Sequence, residues 1–407
     1  MSPATADLAA CVHCGLCLDS CPTYRLSGLE AASPRGRVWI LRHGVTAATA
    51  PYLDSCLDCR ACEVVCPSGV GAAAAVRHYR RQQGRRLPRR LLVAVLGHPR
   101  RVARLAALAR LAARLGGRQV LDRLGRRPGA TGFRAALAAA AVTQLTRPAS
   151  RDLPPLLLAQ GHRRGRVALH LGCAGDHLAA RANLAAARLL SASGFDVAVP
   201  AGQVCCGALL DHFGADAAAG LLAAECAARL AGYDAVVSVT PGCSLAMRGY
   251  GTRLGETGEP LACAARDVLA YLAAAGGLPP MRPLPLRVAY HDACHLAWGQ
   301  GVWDEPRRLL ATVPGLQLVE LPDPGRCCGS AGVENLVHPT LAEDLGRWRV
   351  ADVPADVGVV TAANPACCLQ LAAAARRAGR TLVAVHPVEI LAAAAGLGPK
   401  DAWPWMP

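Results

Sequence analysis

Lysine is all but missing from this chain of 407 residues: Lys400 stands alone against forty-three arginines. Alanine is in excess as well, so arginine in lysine's place reads as compositional bias with little functional meaning. Aromatic residues make up 4% of the chain, and none falls between Arg80 and Arg127, where the arginines are densest. Binders of single strands interleave aromatic and basic residues, so no nucleic-acid partner is expected. The start, MSPATADLAA, lacks both a basic stretch and an apolar core of signal length, which predicts no secretion by that route. No run of about eighteen charge-free apolar residues reads as a membrane span. Stretches such as Ala135 to Val142 are too short and too rich in alanine. No GxGxxG opens a helix after a strand, so the chain carries no flavin or dinucleotide fingerprint.

Cysteine is what the chain has in abundance. Nineteen are present, clustered at CxxC spacings, which favours thiolate ligation over a disulfide framework and predicts a reducing, cytoplasmic setting. A chain of this length can bury cores for two or three domains without disulfides. The net charge of +15 is local. Between Arg77 and Arg151 nineteen arginines face one acid, Asp122, so that segment holds +18 and the remainder −3.

Four regions are expected. Residues 1–80 hold two cysteine clusters, 81–160 form a basic connector, and 161–280 and 281–398 read as two copies of one unit. RVALHLGC, VCCG and AVVSVTPGCSLAM in the first copy answer to RVAYHDAC, RCCGSAG and GVVTAANPACCLQL in the second. Matching cysteines are offset by 121 (Cys173 to Cys294), 122 (Cys206 to Cys328) and 124 (Cys243 to Cys367). The runs VALHL, FDVAV, AVVSV, RVAYH, LQLVEL and VGVVTAA read as strands. They alternate with helical stretches such as Leu178 to Ser191 and Ala217 to Leu230, the pattern of a mainly parallel sheet. The expected fold class is therefore α+β and α/β: a helical two-cluster ferredoxin-type domain, then two duplicated α/β domains. Ligands collect beyond the carboxyl ends of strands in open α/β sheets, and the cysteines of both copies lie there. In the connector, LPRRLLVAVLGHPRRVARLAALARLAARLGG predicts an amphipathic basic helix pair broken near Gly97 to Pro99. Packing on its own domain with a solvated arginine face is the plainer expectation; contact with a membrane surface or a partner is the other.

The run Cys11-x2-Cys14-x2-Cys17-x3-Cys21-Pro22 recurs as Cys56-x2-Cys59-x2-Cys62-x3-Cys66-Pro67. This is the bacterial ferredoxin run, in which three close thiolates take three corners of a [4Fe–4S] cube and the fourth cysteine ligates the other cube. Cys11, Cys14, Cys17 and Cys66 are thus assigned to one cluster, and Cys56, Cys59, Cys62 and Cys21 to the other. The proline after each fourth cysteine turns the chain away. Zinc fits poorly, because it usually takes paired CxxC motifs separated by a longer loop.

The copies carry a second set: Cys173, Cys205, Cys206 and Cys243, then Cys294, Cys327, Cys328 and Cys367. Recurrence at the same register argues for metal ligation over core filling, whereas Cys226 and Cys263, outside the repeat, read as buried filler. Side chains of adjacent cysteines are expected to diverge, and the glycine after each pair permits a sharp backbone approach. His170, His291 and His295 are expected to support the thiolates by hydrogen bonds. Arg35 and Arg37 are expected either to set cluster potential or to face solvent or a partner.

The two ferredoxin runs followed by two CCG domains resemble the glycolate oxidase iron–sulfur subunit along essentially the whole chain. CPTYRLSG, SPRGRVWILR, CLDCRACEVVCPSGV, HDACHLAWGQGV, CCGSAG and HPVEILA (His386 to Ala392) carry the likeness. The resemblance implies a non-flavin subunit of an oxidoreductase, itself without action on the 2-hydroxyacid. It would take electrons from FAD-binding oxidase subunits and pass them toward the respiratory quinone pool, peripherally at the cytoplasmic face of the membrane. The alternative is a quinone- or disulfide-reducing subunit with its catalytic cluster in the CCG half, as in glycerol-3-phosphate, lactate and heterodisulfide relatives. Related CCG domains hold non-cubane clusters with a final CxxC. Here Ala246 and Gln370 stand where its second cysteine is expected, which leaves a cube, a zinc ion or an empty redox-active pocket.

Overall fold

The computed structural model of the protein describes residues 7–83, 92–95, 97–145, 147–398 and Trp403. Its first lobe consists of short helices, among them Pro22–Ser27, Pro34–His43, Ala61–Val64 and Ala72–Gln82. Pro22 and Pro34 open their helices at the position where a missing N–H costs nothing. Ser33 caps the second by accepting from the Gly36 amide at 2.9 Å. Gly36 has no room for a side chain, since a Cβ there would meet the Glu30 carbonyl at 2.0 Å.

Two sheets follow. The first comprises β1 (Leu156–Leu157), β2 (Gly165–Leu169), β3 (Phe195–Ala198), β4 (Ala235–Ser238) and β5 (Ala265–Asp267), ordered β1-β3-β2-β4-β5. The second comprises β6 (Arg287–His291), β7 (Gln317–Glu320), β8 (Val359–Ala362) and β9 (Val383–Val385), ordered β7-β6-β8-β9. Apart from the antiparallel β1, every pairing is parallel. Each copy therefore runs second, first, third, fourth strand across the sheet. The order reverses at the first strand, so a crevice opens between the ends of the first and third, where Cys173 and Cys243, or Cys294 and Cys367, stand.

Leu169 and Val237 of the first sheet and Val288 and Val360 of the second belong to one apolar core, so the copies fold as one body. Several expectations need adjustment. VALHL leaves the sheet at Leu169, so His170 and Leu171 lie beyond the strand. The helix expected from Leu178 is two, Gly175–Leu178 and Ala180–Ala192. The two-residue β1, the three-residue β5 and the three-residue β9 were not foreseen, being too short to show alternation. Of the connector pair, the part before Gly97 lies mostly outside the described residues. Pro99–Ala112 is helical, followed by Arg118–Gly125 and Gly129–Gln144. No helix among the described residues is long and apolar enough to cross a membrane.

Candidate iron–sulfur sites

Cys11, Cys14, Cys17 and Cys66 line one recess, and Cys62 lines it too. Cys21, Cys56, Cys59 and Cys62 line another. The fourth cysteine of each run thus stands in the recess of the other run. Both loops turn by the same device. His13 and Gly15 in the first run, and Asp58 and Arg60 in the second, have positive φ at matching positions, which winds three successive cysteines toward one point. Left-handed geometry is cheap at Gly15 and costs about 1–2 kcal/mol at Arg60.

Arginines hold the loops. Arg35 donates to the His13 carbonyl at 2.9 Å and pairs with Glu30 at 2.7 Å. Arg37, 3% exposed, donates to the Tyr52 carbonyl, the Thr23 hydroxyl and the Cys21 sulfur, so the solvent-facing alternative does not apply to it. No carboxylate among the described residues pairs with Arg37, and its charge is faced by Cys21, Cys56 and Cys62. A buried cation matched only by thiols fits a recess that holds an anionic thiolate-bound cluster. Sequence reasoning missed Arg80, whose guanidinium donates to the carbonyls of Leu53, Asp54 and Cys56 at 3.3, 2.9 and 2.6 Å. In a helix reading AAAAVRHYRRQ nothing marks which arginine is buried.

The copies repeat their geometry sulfur by sulfur. Cys173 lies 3.5 Å from Cys205, and Cys205, Cys206 and Cys243 are near enough to shift one another's acidity. Cys294, Cys327, Cys328 and Cys367 influence one another in the same sequence, and Cys328 and Cys367 have their sulfurs within 4.8 Å. The chain after each pair turns sharply at Gly207 (φ 78°) or Gly329 (φ 91°). A Cβ at these glycines would meet the carbonyls of Ala219 at 2.9 Å and Ala342 at 2.8 Å. Each glycine amide donates to the first sulfur of its pair at 3.4 Å. Cys173 and Cys294, then the adjacent thiol, hold the Cys205 and Cys327 thiols well below the ordinary value, while Cys205 and Cys327 push Cys206 and Cys328 up. The nearness of Cys206 and His170 brings Cys243 down to about 6. In the first copy the direction therefore alternates along the row, up at Cys173 and Cys206 and down at Cys205 and Cys243.

The histidines differ in their tasks. His291, Cys328 and Cys367 bring their ligand atoms within 4.8 Å of one another, yet Arg349 Nε donates to His291 Nδ1 at 3.0 Å. That bond leaves the neutral ring's proton on Nε2, a donor and not a ligand atom. His170 lies between Cys226 and Cys243, so Cys226, read as filler, sits beside the first set. His295 Nε2 meets the Asp58 carbonyl at 3.0 Å and ties the second copy to the second cysteine run. Cys263 is exposed, not buried as expected, and Cys368 is buried, its sulfur turned to the Ala362 carbonyl.

Residues 7–70 match the 4Fe-4S dicluster domain family, and residues 167–248 and 288–372 match the cysteine-rich domain family, CCG. The chain is 33% identical to the glycolate oxidase iron-sulfur subunit of Escherichia coli, over 95% of this chain and 94% of that one. It belongs to the family of glycolate oxidase iron–sulfur subunits. The probable glycolate oxidase iron-sulfur subunit of Bacillus subtilis is 31% identical over 96% of this chain and 94% of its own. A fumarate reductase (CoM/CoB) subunit of Methanothermobacter marburgensis is 27% identical, over 90% of this chain and 68% of its own. This member of the family is an electron-transferring iron–sulfur subunit of the oxidoreductase class, with [4Fe–4S] clusters as its cofactors.

The two kinds of site meet in the fold. Leu57 and Cys59 pack with Cys294, Cys327 and Leu345 in one cluster. The two sets differ in access: all four cysteines of the second copy are buried, whereas Cys173 and Cys243 of the first are partly open. The first set faces a cavity of about 400 Å³ that Asp58, His212 and His295 also line.

Proposed function

We propose that this chain is the electron-transfer subunit of a flavin-dependent 2-hydroxyacid oxidase of the glycolate oxidase type. Its FAD-binding partners would oxidise the substrate, and the chain itself would not touch the 2-hydroxyacid. Cys11, Cys14, Cys17 and Cys66 would hold one cube, and Cys56, Cys59, Cys62 and Cys21 the other. The observation that carries the reading is the packing of Cys59 against Cys294 and Cys327. It offers electrons a continuous path from the exposed Cys14 recess, through the second recess, to the duplicated half. The four thiols of each copy support a metal centre there. A respiratory quinone is the acceptor the reading names.

The same reading places the chain at the cytoplasmic face of a membrane. Leu105, Leu108 and Leu111 on Pro99–Ala112 are 50%, 62% and 54% exposed, and Leu108 and Leu111 lie on the side away from buried Val102 and Ala106. Arg100, Arg101 and Arg104 are exposed around them. An apolar stripe flanked by arginines suits an anionic bilayer surface. To test the electron-transfer role, the chain is reconstituted anaerobically and mixed with a flavoprotein 2-hydroxyacid oxidase, substrate and a quinone analogue. About eight irons per chain and quinone reduction that needs both proteins are expected. Fewer irons, or reduction by the flavoprotein alone at the same rate, would refute it.

A further inference from the structure

One row of buried titratable side chains has no task in this reading. His212 ends the helix Ala208–His212 and sits between two carboxylates from different parts of the chain. Its Nδ1 lies 3.5 Å from Asp58 Oδ2 in the second cysteine run, and its Nε2 lies 3.2 Å from Glu334 Oε1 in the second copy. The other oxygen of Glu334 lies 3.5 Å from Nε2 of His338, whose side chain is 31% exposed where that of Glu334 is 1%. An imidazole, a carboxylate and a second imidazole thus stand in a row toward the wall of the cavity, the outer pair at ion-pair distance without a hydrogen bond between them.

Ionisable groups are costly to bury, and apolar residues of similar volume would often serve stability better. These meet where the first lobe and both copies join, beside the thiols of the first copy. The other charged groups facing His212 are Arg80, whose Nη1 is 3.5 Å from Nε2, Arg77, paired with Asp58, and His295. Burial alone would lower the His212 pKa, but the bonds to Asp58 and Glu334 outweigh it and raise the value. The protonated ring faces a carboxylate with each nitrogen, and a ligand in the cavity would take its proton from Nδ1, in place of the long 3.5 Å contact to Asp58.

The cavity has the size and lining of a site for a small ring compound. Leu137, Ala138, Leu209, Leu245 and Leu336 supply apolar walls, and Cys173 and Cys205 stand at one end. An acceptor of electrons alone has no need of a proton path. We propose that this cavity binds an acceptor of the quinone class, and that His212, resupplied from His338 through Glu334, protonates it. The inference rests on the electron-transfer reading above. Two electrons, originating in the partner's reduced flavin, arrive singly by way of the cysteine-held centres. Two protons arrive from solvent by way of His338, Glu334 and His212. Each ring carbonyl becomes a hydroxyl, so quinone, two electrons and two protons give hydroquinone. A small organic disulfide has the same electron and proton demand, but the apolar walls favour the uncharged ring.

The test uses the reconstituted full chain, reduced and freed of reductant, with a water-soluble quinone analogue and with a ferricenium salt, which accepts one electron and no proton. His212→Gln and Glu334→Gln should each lower the ratio of quinone rate to ferricenium rate by about tenfold or more and abolish its dependence on pH. His338→Ala should lower it too, and added imidazole should restore it. Independently of activity, equilibrium dialysis should show the quinone analogue bound by the native chain and by His212→Gln, and not by Ala138→Trp. An unchanged ratio in His212→Gln overturns the proposal, as does equal loss of both rates or undiminished binding in Ala138→Trp. Displacement of the quinone by a small organic disulfide at equal concentration would overturn the quinone assignment. Failure of the native chain to reduce ferricenium would instead refute the electron-transfer reading itself.

Discussion

Cys59 and Cys327, 268 positions apart in the sequence, share one buried cluster with Leu57, Cys294 and Leu345. Their charges sense each other: burial, then the neighbouring Cys327, pushes the Cys59 thiol well above its ordinary value. A packed contact between two thiol-bearing sites is a short route for an electron.

Arg37 is the buried charge closest in kind to a tuning element. It donates to Cys21 and faces Cys56 and Cys62, and a positive charge favours the more negative, reduced state of a cluster. Arg37→Met should lower the midpoint potential of one of the two clusters by about 50–100 mV, the equivalent of about 1–2 kcal/mol for one electron. A potentiometric titration followed by electron paramagnetic resonance reads the shift.

The CCG glycines are required by space as well as by φ. Gly207→Ala and Gly329→Ala should each destabilise the chain by about 2–4 kcal/mol, from left-handed strain plus forced repacking. Gly232 has φ 83° and nothing within 4 Å of its added Cβ, so Gly232→Ala should cost only about 1–2 kcal/mol. Urea unfolding of the three variants separates the two contributions.

His386 should make the fold sensitive to acid. It is fully buried, and burial lowers its pKa from 6.5 to about 3, while its Nδ1 accepts the Val388 amide at 3.2 Å to cap Pro387–Ala394. Below its ordinary value the unfolded chain binds a proton that the folded chain refuses, so stability falls as pH drops from 6.5 toward 3. His386→Asn keeps a capping acceptor but does not titrate. Between pH 7 and 5 it should lose about 2 kcal/mol less than the native chain, measured by urea midpoints.

The leucine stripe of the connector gives a separable expectation. Leu108→Glu should leave unfolding within about 0.5 kcal/mol of native, because the side chain is 62% exposed. It should weaken sedimentation with phosphatidylserine vesicles by about tenfold. Equal binding of the native chain to neutral and anionic vesicles, or to neither, would contradict a basic, apolar membrane face.

Much of this was legible in the sequence because it depends on spacing. The CxxCxxCxxxCP runs, the steady offsets between the copies and the cysteines at strand ends all survive folding, since a local loop or a parallel sheet fixes each. What spacing hides is which distant groups meet. That Arg37 and Arg80 are buried, that His212 meets Asp58 and Glu334, and that Cys59 meets Cys327 depend on how three lobes pack. Cys263 was misjudged because an alanine-rich helix shows no face in its sequence.

The most direct measurement asks which cysteine completes which cube. In a chain carrying Cys11→Ala, Cys14→Ala and Cys17→Ala, the run from Cys56 should retain one cube, about four irons that persist after reconstitution. Adding Cys21→Ser should abolish that cube's electron paramagnetic resonance signal, and adding Cys66→Ser should leave it intact. Loss of the signal with Cys66→Ser and its survival with Cys21→Ser would contradict the crossed arrangement.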